Sequence, residues 1–274
     1  KPIKENSFAI YGLGLSGNST FKFLKKKNVK DIYTWDDKKN KINKKKVLLF
    51  KKILDKVDYI VISPGINIQK TKFKLKLFKN KKKIITDLDL FYMQNIPVKS
   101  IVITGTNGKS TACKLTEHIF KTNRSNVQLG GNIGKPILDL KIKRNSVVII
   151  EASSFQLSYT RFIKPTLAAI LNITSDHLDW HKTIENYKNS KFKIFSKQDS
   201  NDVAILNNKT LIKIFRKRNY LSKLKIVKRN IFNSSITKKI INDYLLTEPN
   251  FENLQFVNQI SKIFKIKNKI FLKA

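Results

Sequence analysis

The chain has 274 residues, of which 41% are hydrophobic, and 56 Lys and Arg against 19 Asp and Glu give it a net charge of +37. This length allows about two domains of ordinary size, and no apolar run approaches the roughly 20 residues of a membrane helix, so we expect no membrane partner. The single cysteine, Cys113, excludes an internal disulfide and favours a reducing compartment, so we expect a cytoplasmic protein.

The positive charge admits a nucleic-acid-binding protein as one hypothesis. Most of the basic residues are lysines spread along the whole chain, and runs such as Lys44–Lys46 and Lys81–Lys83 are typical of solvated helix ends and loops. Compositional drift toward Lys, Asn and Ile is the favoured interpretation. We therefore expect no specific nucleic-acid partner, although the excess charge can attract anionic substrates.

The first strand, Phe8–Tyr11, leads into the turn YGLGLSG and a helix predicted at Ser16–Lys27. Gly12, Gly14 and Gly17 of this turn spell G-x-G-x-x-G, which is typical of a turn that holds a diphosphate at a helix start. Asp36 stands about where a ribose-binding acid would lie, so the turn alone predicts NAD or FAD binding. Further elements of this half are strands at Ile32–Trp35, Tyr59–Ile62 and Lys83–Thr86 and a helix at Asp87–Met93.

The second half repeats the alternation of short apolar strands with helices after a linker around Pro97. Its predicted elements are strands at Ser100–Thr104, Val127–Leu129, Ser146–Ile150, Leu167–Asn172, Asp202–Leu206 and Lys225–Lys228 and a helix at 250–264. Strands separated by helices indicate βαβ units and parallel sheets. The predicted fold class is α/β, with a Rossmann-like domain at 1–97 and a P-loop-type ATPase domain at 98–274.

The segment SIVITGTNGKST at Ser100–Thr111 is a strand, a Gly-rich turn and a helix start in that order. Its turn matches the end of a phosphate-binding loop, in which backbone N–H groups face a phosphate, the lysine reaches the β- and γ-phosphates and the hydroxyl can ligate Mg²⁺. The first glycine of the strict motif would fall at Ile103, which is not glycine. The residues predicted to bind ATP are Gly105, Thr106, Asn107, Gly108, Lys109, Ser110 and Thr111.

The sequence TGTNGKST also resembles the phosphate-loop motif of the Mur ligase family, which includes folylpolyglutamate synthases. Six further motifs of that family follow the expected order: GLGLSG, SPGI at Ser63–Ile66, GGNIG at Gly130–Gly134, EASSFQL at Glu151–Leu157, NITSDHLDWH at Asn172–His181 and SKFKIF at Ser190–Phe195. The chain resembles this family over nearly all of its length, and most of all the branch that adds D-glutamate to UDP-N-acetylmuramoyl-L-alanine in peptidoglycan synthesis.

The resemblance implies an ATP-dependent amide ligase that works through an acyl phosphate and uses Mg²⁺. It implies catalytic roles for Lys109, Glu151, His177 and Lys191. Ser110 and Glu151 would share one Mg²⁺, while His177 and Lys191, the latter in carbamylated form, would lie at a second. Asn250 and Asn253 resemble the nucleotide-binding H-N-x-x-N of the family, although Pro249 stands where histidine is usual.

For the UDP-sugar, the resemblance implies a site drawn from both domains. Its residues would be Leu15, Ser16, Gly17, Asp36, Ser63, Pro64, Gly65, Asn132, Ser153 and Gln156. The partners would be UDP-N-acetylmuramoyl-L-alanine and D-glutamate, and we expect a monomer.

Family members carry a third, C-terminal domain that binds D-glutamate, and this chain ends at Ala274, about where a second domain would finish. We therefore expect the chain by itself to bind the UDP-precursor but to ligate D-glutamate poorly. Two alternatives stay open: another family member with a different amino acid or a folate substrate, and an NAD- or FAD-binding oxidoreductase.

Overall fold

The computed structural model describes residues 2–38, 44–227, 240 and 242–274. The chain divides into two compact units. The first comprises the residues up to Ile96 together with Pro136–Asp139 and Phe155–Ile163, and the second comprises Pro97–Lys135, Leu140–Ser154 and Lys164–Ala274. The predicted domains, 1–97 and 98–274, stay a prediction, and two short segments beyond residue 97 belong to the first unit.

The first unit is built on a parallel four-stranded sheet with the order β2-β1-β3-β4. Its strands are β1 (Phe8–Tyr11), β2 (Ile32–Trp35), β3 (Tyr59–Ile62) and β4 (Ile84–Ile85), and its helices are α1 (Leu15–Lys26), α2 (Lys44–Lys56), α3 (Lys74–Lys79) and α4 (Asp87–Met93). Tyr11 pairs with both Trp35 and Ile62, so the residues that follow β1, β2 and β3 meet at one edge of the sheet.

The second unit is built on a parallel six-stranded sheet with the order β10-β9-β8-β5-β7-β6. The strands are β5 (Lys99–Thr104), β6 (Val127–Gly131), β7 (Val147–Glu151), β8 (Leu167–Ile170), β9 (Val203–Leu206) and β10 (Lys223–Ile226). β7 and β8 are buried throughout and consist of apolar residues almost without interruption, as expected for strands covered on both faces.

The helices of the second half follow the strands in βαβ order. They are α5 (Lys109–Thr122), α6 (Ser154–Tyr159), α7 (Leu178–His181), α8 (Ile184–Phe192), α9 (Lys209–Lys217), α10 (Asp243–Leu246), α11 (Glu248–Ile263) and α12 (Asn268–Lys273). The apolar face of α11 packs on α5, and both contribute to the main core of this unit. In the described part of the chain, no helix is both long and apolar enough to cross a membrane.

The structure confirms the predicted α/β class with parallel sheets. Each predicted strand is present within two residues of its predicted start. The last strand begins at Lys223 rather than Lys225, and residue 228, its predicted end, lies outside the described residues.

Candidate active site

The predicted phosphate loop lies between β5 and α5, at the carboxyl edge of the six-stranded sheet. β7 and β8 lie on the two sides of β5, so the strand order reverses there. Ligands of parallel α/β sheets bind at such switch points. Gly108 precedes α5 in the left-handed conformation (φ +80°), and among the described residues no side chain caps this end of the helix. A helix start of this kind attracts anions.

Asn172, which has no predicted role, anchors the phosphate loop through its side chain. The Oδ1 atom of Asn172 accepts the backbone N–H groups of Thr106 (3.1 Å) and Asn107 (2.9 Å), and its Nδ2 atom donates to the carbonyl of Asn107 (3.2 Å). Three hydrogen bonds from one amide therefore fix the loop against the segment that follows β8.

Two lysine ammonium groups meet at the carbonyl of Gly105. Lys109 Nζ donates to the carbonyls of Gly105 (3.0 Å) and Thr106 (2.7 Å), and Lys191 Nζ donates to that of Gly105 (2.8 Å). Lys191 is 1% exposed. Burial and, secondarily, the charge of Lys109 lower the pKa of Lys191 to about 7. Among the described residues no carboxylate lies within 4.0 Å of either ammonium, so an anion at this point would relieve their repulsion.

Glu151 ends β7 next to the start of α5 and is 2% exposed. Its Oε2 atom accepts the Ser110 hydroxyl at 2.8 Å, and its Oε1 atom accepts the Asn132 side-chain amide at 2.9 Å. The described residues contain no group of three or more His, Cys, Asp or Glu that could hold a metal. One carboxylate beside one hydroxyl suits Mg²⁺, which keeps several waters and takes further oxygens from phosphates. The donor set therefore fits the predicted ion.

The structure brings His177 and Lys191 together around Tyr187, a buried residue absent from the predicted site. Lys191 Nζ lies 4.5 Å from the centroid of the Tyr187 ring, and the His177 ring lies 6.3 Å from it. The Tyr187 hydroxyl lies 3.1 Å from Thr106 Oγ1 in the phosphate loop. One signal could have found Tyr187 in the sequence: it precedes Lys191 by four residues, one helical turn on the same face of α8.

His181 is the last residue of α7, the short helix that follows His177, and its contacts fix the position of that helix. Its Nε2 atom lies 3.0 Å from the Ser154 hydroxyl, and its ring packs against Trp180 and Tyr187. Burial and, secondarily, the charges of Lys191 and His177 lower the pKa of His181 to about 4. His181 is therefore neutral at pH 7 and holds in place the short helix that follows His177.

Asn250 and Asn253 lie in the first turns of α11, and Asn253 covers Gly108. A Cβ atom on Gly108 would come within 2.3 Å of Asn253 Oδ1, and the φ of +80° also favours glycine there. Asn253 Nδ2 donates to Asn250 Oδ1 (3.4 Å), and Asn250 Nδ2 donates to the carbonyl of Tyr244 (2.9 Å). Pro249, where the family pattern has histidine, lies in the first turn of α11, which tolerates proline.

In the first unit, the glycine turn is closed by residues that follow β2 and β3. Gly12 has φ +95°, and its carbonyl accepts the Ser63 hydroxyl at 2.8 Å. Asp36 Oδ2 accepts the backbone N–H of Leu13 at 2.6 Å. A Cβ atom on Gly17 would lie 1.8 Å from the carbonyl oxygen of Gly12. Steric requirements at this turn therefore explain Gly12 and Gly17 of the G-x-G-x-x-G pattern.

The other predicted substrate residues are placed as follows. Leu15 and Ser16 begin α1, with Leu15 83% exposed. Pro64 and Gly65 lie in a turn that the N–H of Ile66 closes on the carbonyl of Ser63 (3.0 Å). Gln156 is buried in the first unit and Ser153 is buried in the second. Their role in ligand binding stays a prediction, as does that of the remaining predicted site residues.

The chain is similar to known proteins in both sequence and fold. Residues 103–271 match the family model described as the Mur ligase middle domain. The UDP-N-acetylmuramoylalanine--D-glutamate ligase of Aquifex aeolicus (strain VF5) is 37% identical over 73% of this chain and 46% of its own length. The enzyme of the same name from Rickettsia bellii (strain RML369-C) is 33% identical over 92% of this chain and 58% of its own length. Among solved structures, a murein peptide ligase from Psychrobacter arcticus 273-4 superposes with a TM-score of 0.53 at 12% identity, over 97% of this chain and 66% of that one.

A parallel α/β unit with a lysine-bearing loop at its switch point defines the class of P-loop-type nucleotide-binding proteins. Within that class, the chain belongs to the Mur ligase family, since the family model matches more than half of its residues. The chain spans about half the length of the curated relatives it matches.

Proposed function

We propose that the chain carries the ATP and UDP-precursor sites of a ligase that joins D-glutamate to UDP-N-acetylmuramoyl-L-alanine. In this reaction the carboxylate of the precursor takes the γ-phosphoryl group of ATP, with ADP as the leaving group. The amine of D-glutamate then attacks the acyl carbon, loses a proton and displaces phosphate, leaving an amide. Such a reaction depends on neutralising charge around the transferred phosphoryl group.

The observation that carries this proposal is the convergence of Lys109 and Lys191 on the carbonyl of Gly105, at the start of α5. The Lys109 ammonium and a helix amino end converge there, and among the described residues no carboxylate lies within 4.0 Å of that ammonium. A triphosphate placed in the loop would replace the carbonyls as the partner of Lys109. We infer that Lys109 holds the β- and γ-phosphates.

Ser110 and Glu151 would hold Mg²⁺, which supplies positive charge to the phosphates when bound. Their 2.8 Å hydrogen bond places a hydroxyl and a carboxylate oxygen at one point, and Asn132 fixes the carboxylate from its other side. His177 is assigned to a second Mg²⁺ on the family resemblance, and its position beside Tyr187 is compatible with that role.

Lys191 is suited to carbamylation, in which its amine attacks CO₂ and releases one proton. The reaction needs the neutral amine, and a pKa of about 7 supplies it at physiological pH. The carbamate would turn a buried cation beside Lys109 into an anion with two oxygens. Incubation with ¹³C-bicarbonate should give a carbamate carbon signal in NMR spectra that is absent from Lys191→Met.

The glycine turn of the first unit is assigned to the diphosphate of the UDP-sugar, with Asp36 and Ser63 shaping its walls. An NAD- or FAD-dependent oxidoreductase would use the same turn but would leave the phosphate loop and Glu151 unexplained. The names of the curated relatives support the UDP-precursor. The free, buried Cys113 agrees with a reducing, cytoplasmic compartment.

Thermal shift measurements on the full chain test this assignment. UDP-N-acetylmuramoyl-L-alanine should raise the Tm more than UDP-N-acetylmuramate, a UDP-tripeptide precursor or dihydropteroate does, because a ligand stabilises the state that binds it. NAD and FAD should have no effect. A larger Tm shift with a folate or with a longer UDP-peptide would indicate that the chain belongs to another branch of the family. A Tm shift with NAD or FAD alone would contradict the proposal.

A further inference from the structure

The first turn of α4 buries two carboxylates, Asp87 and Asp89, in a chain that has only 19 acidic residues. A buried carboxylate is unfavourable unless hydrogen-bond donors surround it. Asp89 meets this condition, because its two oxygens accept hydrogen bonds from five donors. These are the backbone N–H groups of Thr86 (2.8 Å), Arg161 (2.8 Å) and Phe162 (2.6 Å) and the hydroxyls of Thr86 (3.3 Å) and Thr160 (3.0 Å). Asp89 thus links the start of α4 to residues 160–162 within the first unit.

Asp87 is 2% exposed and is not satisfied in this way. Its Oδ1 atom accepts the N–H of Leu88 (3.0 Å) and the side-chain Nε2 of Gln156 (3.3 Å). Its Oδ2 atom is buried without a hydrogen-bond partner among the described residues. Burial raises the pKa of Asp87 to about 6, while the hydrogen bonds from Gln156 and Leu88 and the nearby Ser16 oppose the rise. A half-satisfied buried acid is costly to the fold and is therefore better explained by a role than by packing.

The side-chain donor to Asp87 belongs to a proposed substrate residue, Gln156, which lies on α6 in the segment that belongs to the first unit. A second proposed substrate residue, Ser16, begins α1 directly after the glycine turn and lowers the pKa of Asp87. A carboxylate that accepts a side-chain amide fixes the orientation of that amide.

We propose that Asp87 is a positioning residue of the UDP-sugar site, which holds Gln156 in the orientation that the nucleotide sugar requires. This inference rests on the proposed function for the identity of the ligand. Asp87 is 2% exposed, so its effect on the ligand passes through the side-chain amide of Gln156.

We expect the pH dependence of the contact between Asp87 and Gln156 to follow the ionisation of Asp87 itself and not that of its charged neighbours. Asp89 on the same helix raises the pKa of Asp87. Asp139, on the short 3-10 turn packed against α4, accepts the Ser19 hydroxyl at 2.8 Å. The lysines of α1 (Lys22, Lys25 and Lys26) are exposed. Protonation of Asp87 removes one acceptor oxygen and so weakens its hydrogen bond with Gln156.

The test uses the full chain and the isosteric variant Asp87→Asn, which mimics the protonated acid. Calorimetric titration with UDP-N-acetylmuramoyl-L-alanine should show wild type binding about tenfold tighter at pH 7.5 than at pH 5.0, since hydrogen bonds to a charged group are the stronger ones. Asp87→Asn should bind with the weaker affinity at both pH values. Asp202→Asn, which alters a buried carboxylate of the second unit, is the matched control and should behave as wild type.

A second measurement requires neither the ligand nor the Asp87→Asn variant. The side-chain amide of Gln156 in ¹⁵N-labelled wild type, assigned by its loss in Gln156→Glu, should shift with a midpoint near pH 6. Wild-type affinity that does not change with pH, together with a Gln156 amide that does not titrate, would overturn the positioning role alone. A wild-type chain that fails to bind the precursor would overturn both this role and the proposed UDP-sugar site.

Discussion

At the scale of single residues, the most informative side chain is Lys191. Nothing in its local sequence distinguishes it from the other 55 basic residues, and only the family motif marked it. The structure shows how its environment differs from that of a surface lysine. The Lys191 ammonium is buried near Lys109, donates to the carbonyl of Gly105 and lies over the Tyr187 ring. A buried cation of this kind costs stability whenever it is protonated.

The buried amine predicts a specific dependence of stability on pH. The pKa of Lys191 is about 7 in the folded chain, against an ordinary value of 10.5. Between these values the unfolded chain holds the extra proton, so the contribution of Lys191 to stability rises with pH and is flat below about pH 6. The Tm of wild type minus that of Lys191→Met, in CO₂-free buffer, should therefore increase from pH 7 to pH 9.

The exposed Lys197 provides the control for this measurement. Lys197→Met should differ from wild type by the same small amount at every pH. A Tm difference for Lys191→Met that stays constant from pH 6 to pH 9 would show that the Lys191 amine is not held in the buried, desolvated state.

At the scale of elements, the glycine turn of the first unit is explained by close backbone approach. Gly17 has the tightest contact, with a Cβ position 1.8 Å from the carbonyl oxygen of Gly12, whereas a Cβ on Gly14 in the same turn would meet no atom of the described residues within 4 Å. Gly17→Ala should therefore destabilise the first unit by about 1–3 kcal/mol or more, as overpacking does. Gly14→Ala should stay within about 0.5 kcal/mol of wild type.

Tryptophan fluorescence can assign this loss to one unit, because the chain has two tryptophans, Trp35 in the first unit and Trp180 in the second. In a Trp180→Phe background, the denaturant midpoint of Trp35 should fall for Gly17→Ala and not for Gly14→Ala. Equal midpoints for the two variants would mean that the turn can open without cost and that its glycines are not selected by sterics.

The strands, the helices and the phosphate loop could be predicted because they depend on local patterns: apolar runs, glycine spacing and a lysine at a helix start. The roles of Asn172 and His181 could not be predicted, since they depend on which side chains the fold brings next to Thr106 and Ser154. Tyr187 could be found only through its four-residue spacing to Lys191, and its contact with Thr106 depends on the fold. Asp87 was predicted only as the first residue of a helix. Its unsatisfied oxygen is a property of the packed first unit and has no pattern in the sequence.

At the scale of the whole molecule, the net charge of +37 is spread over lysines that mostly lie on the surface. Among the described residues, the buried Asp, Glu and Lys side chains are those of Asp87, Asp89, Glu151, Lys191 and Asp202. Glu151 and Lys191 lie where a ligand or a metal is proposed. We infer that the loop from Gly105 to Ser110, together with Glu151, forms a Mg²⁺-dependent ATP site.

Calorimetric titration of the full chain with a non-hydrolysable ATP analogue tests this claim most directly. Wild type should bind the analogue with Mg²⁺, and EDTA, Lys109→Ala or Glu151→Gln should each weaken binding about tenfold or more, because each removes a charged contact to the phosphates or their ion. Lys197→Met should bind as wild type does. If wild type does not bind the analogue, or if binding is the same with EDTA and in both site variants, these residues do not form a Mg²⁺-dependent ATP site.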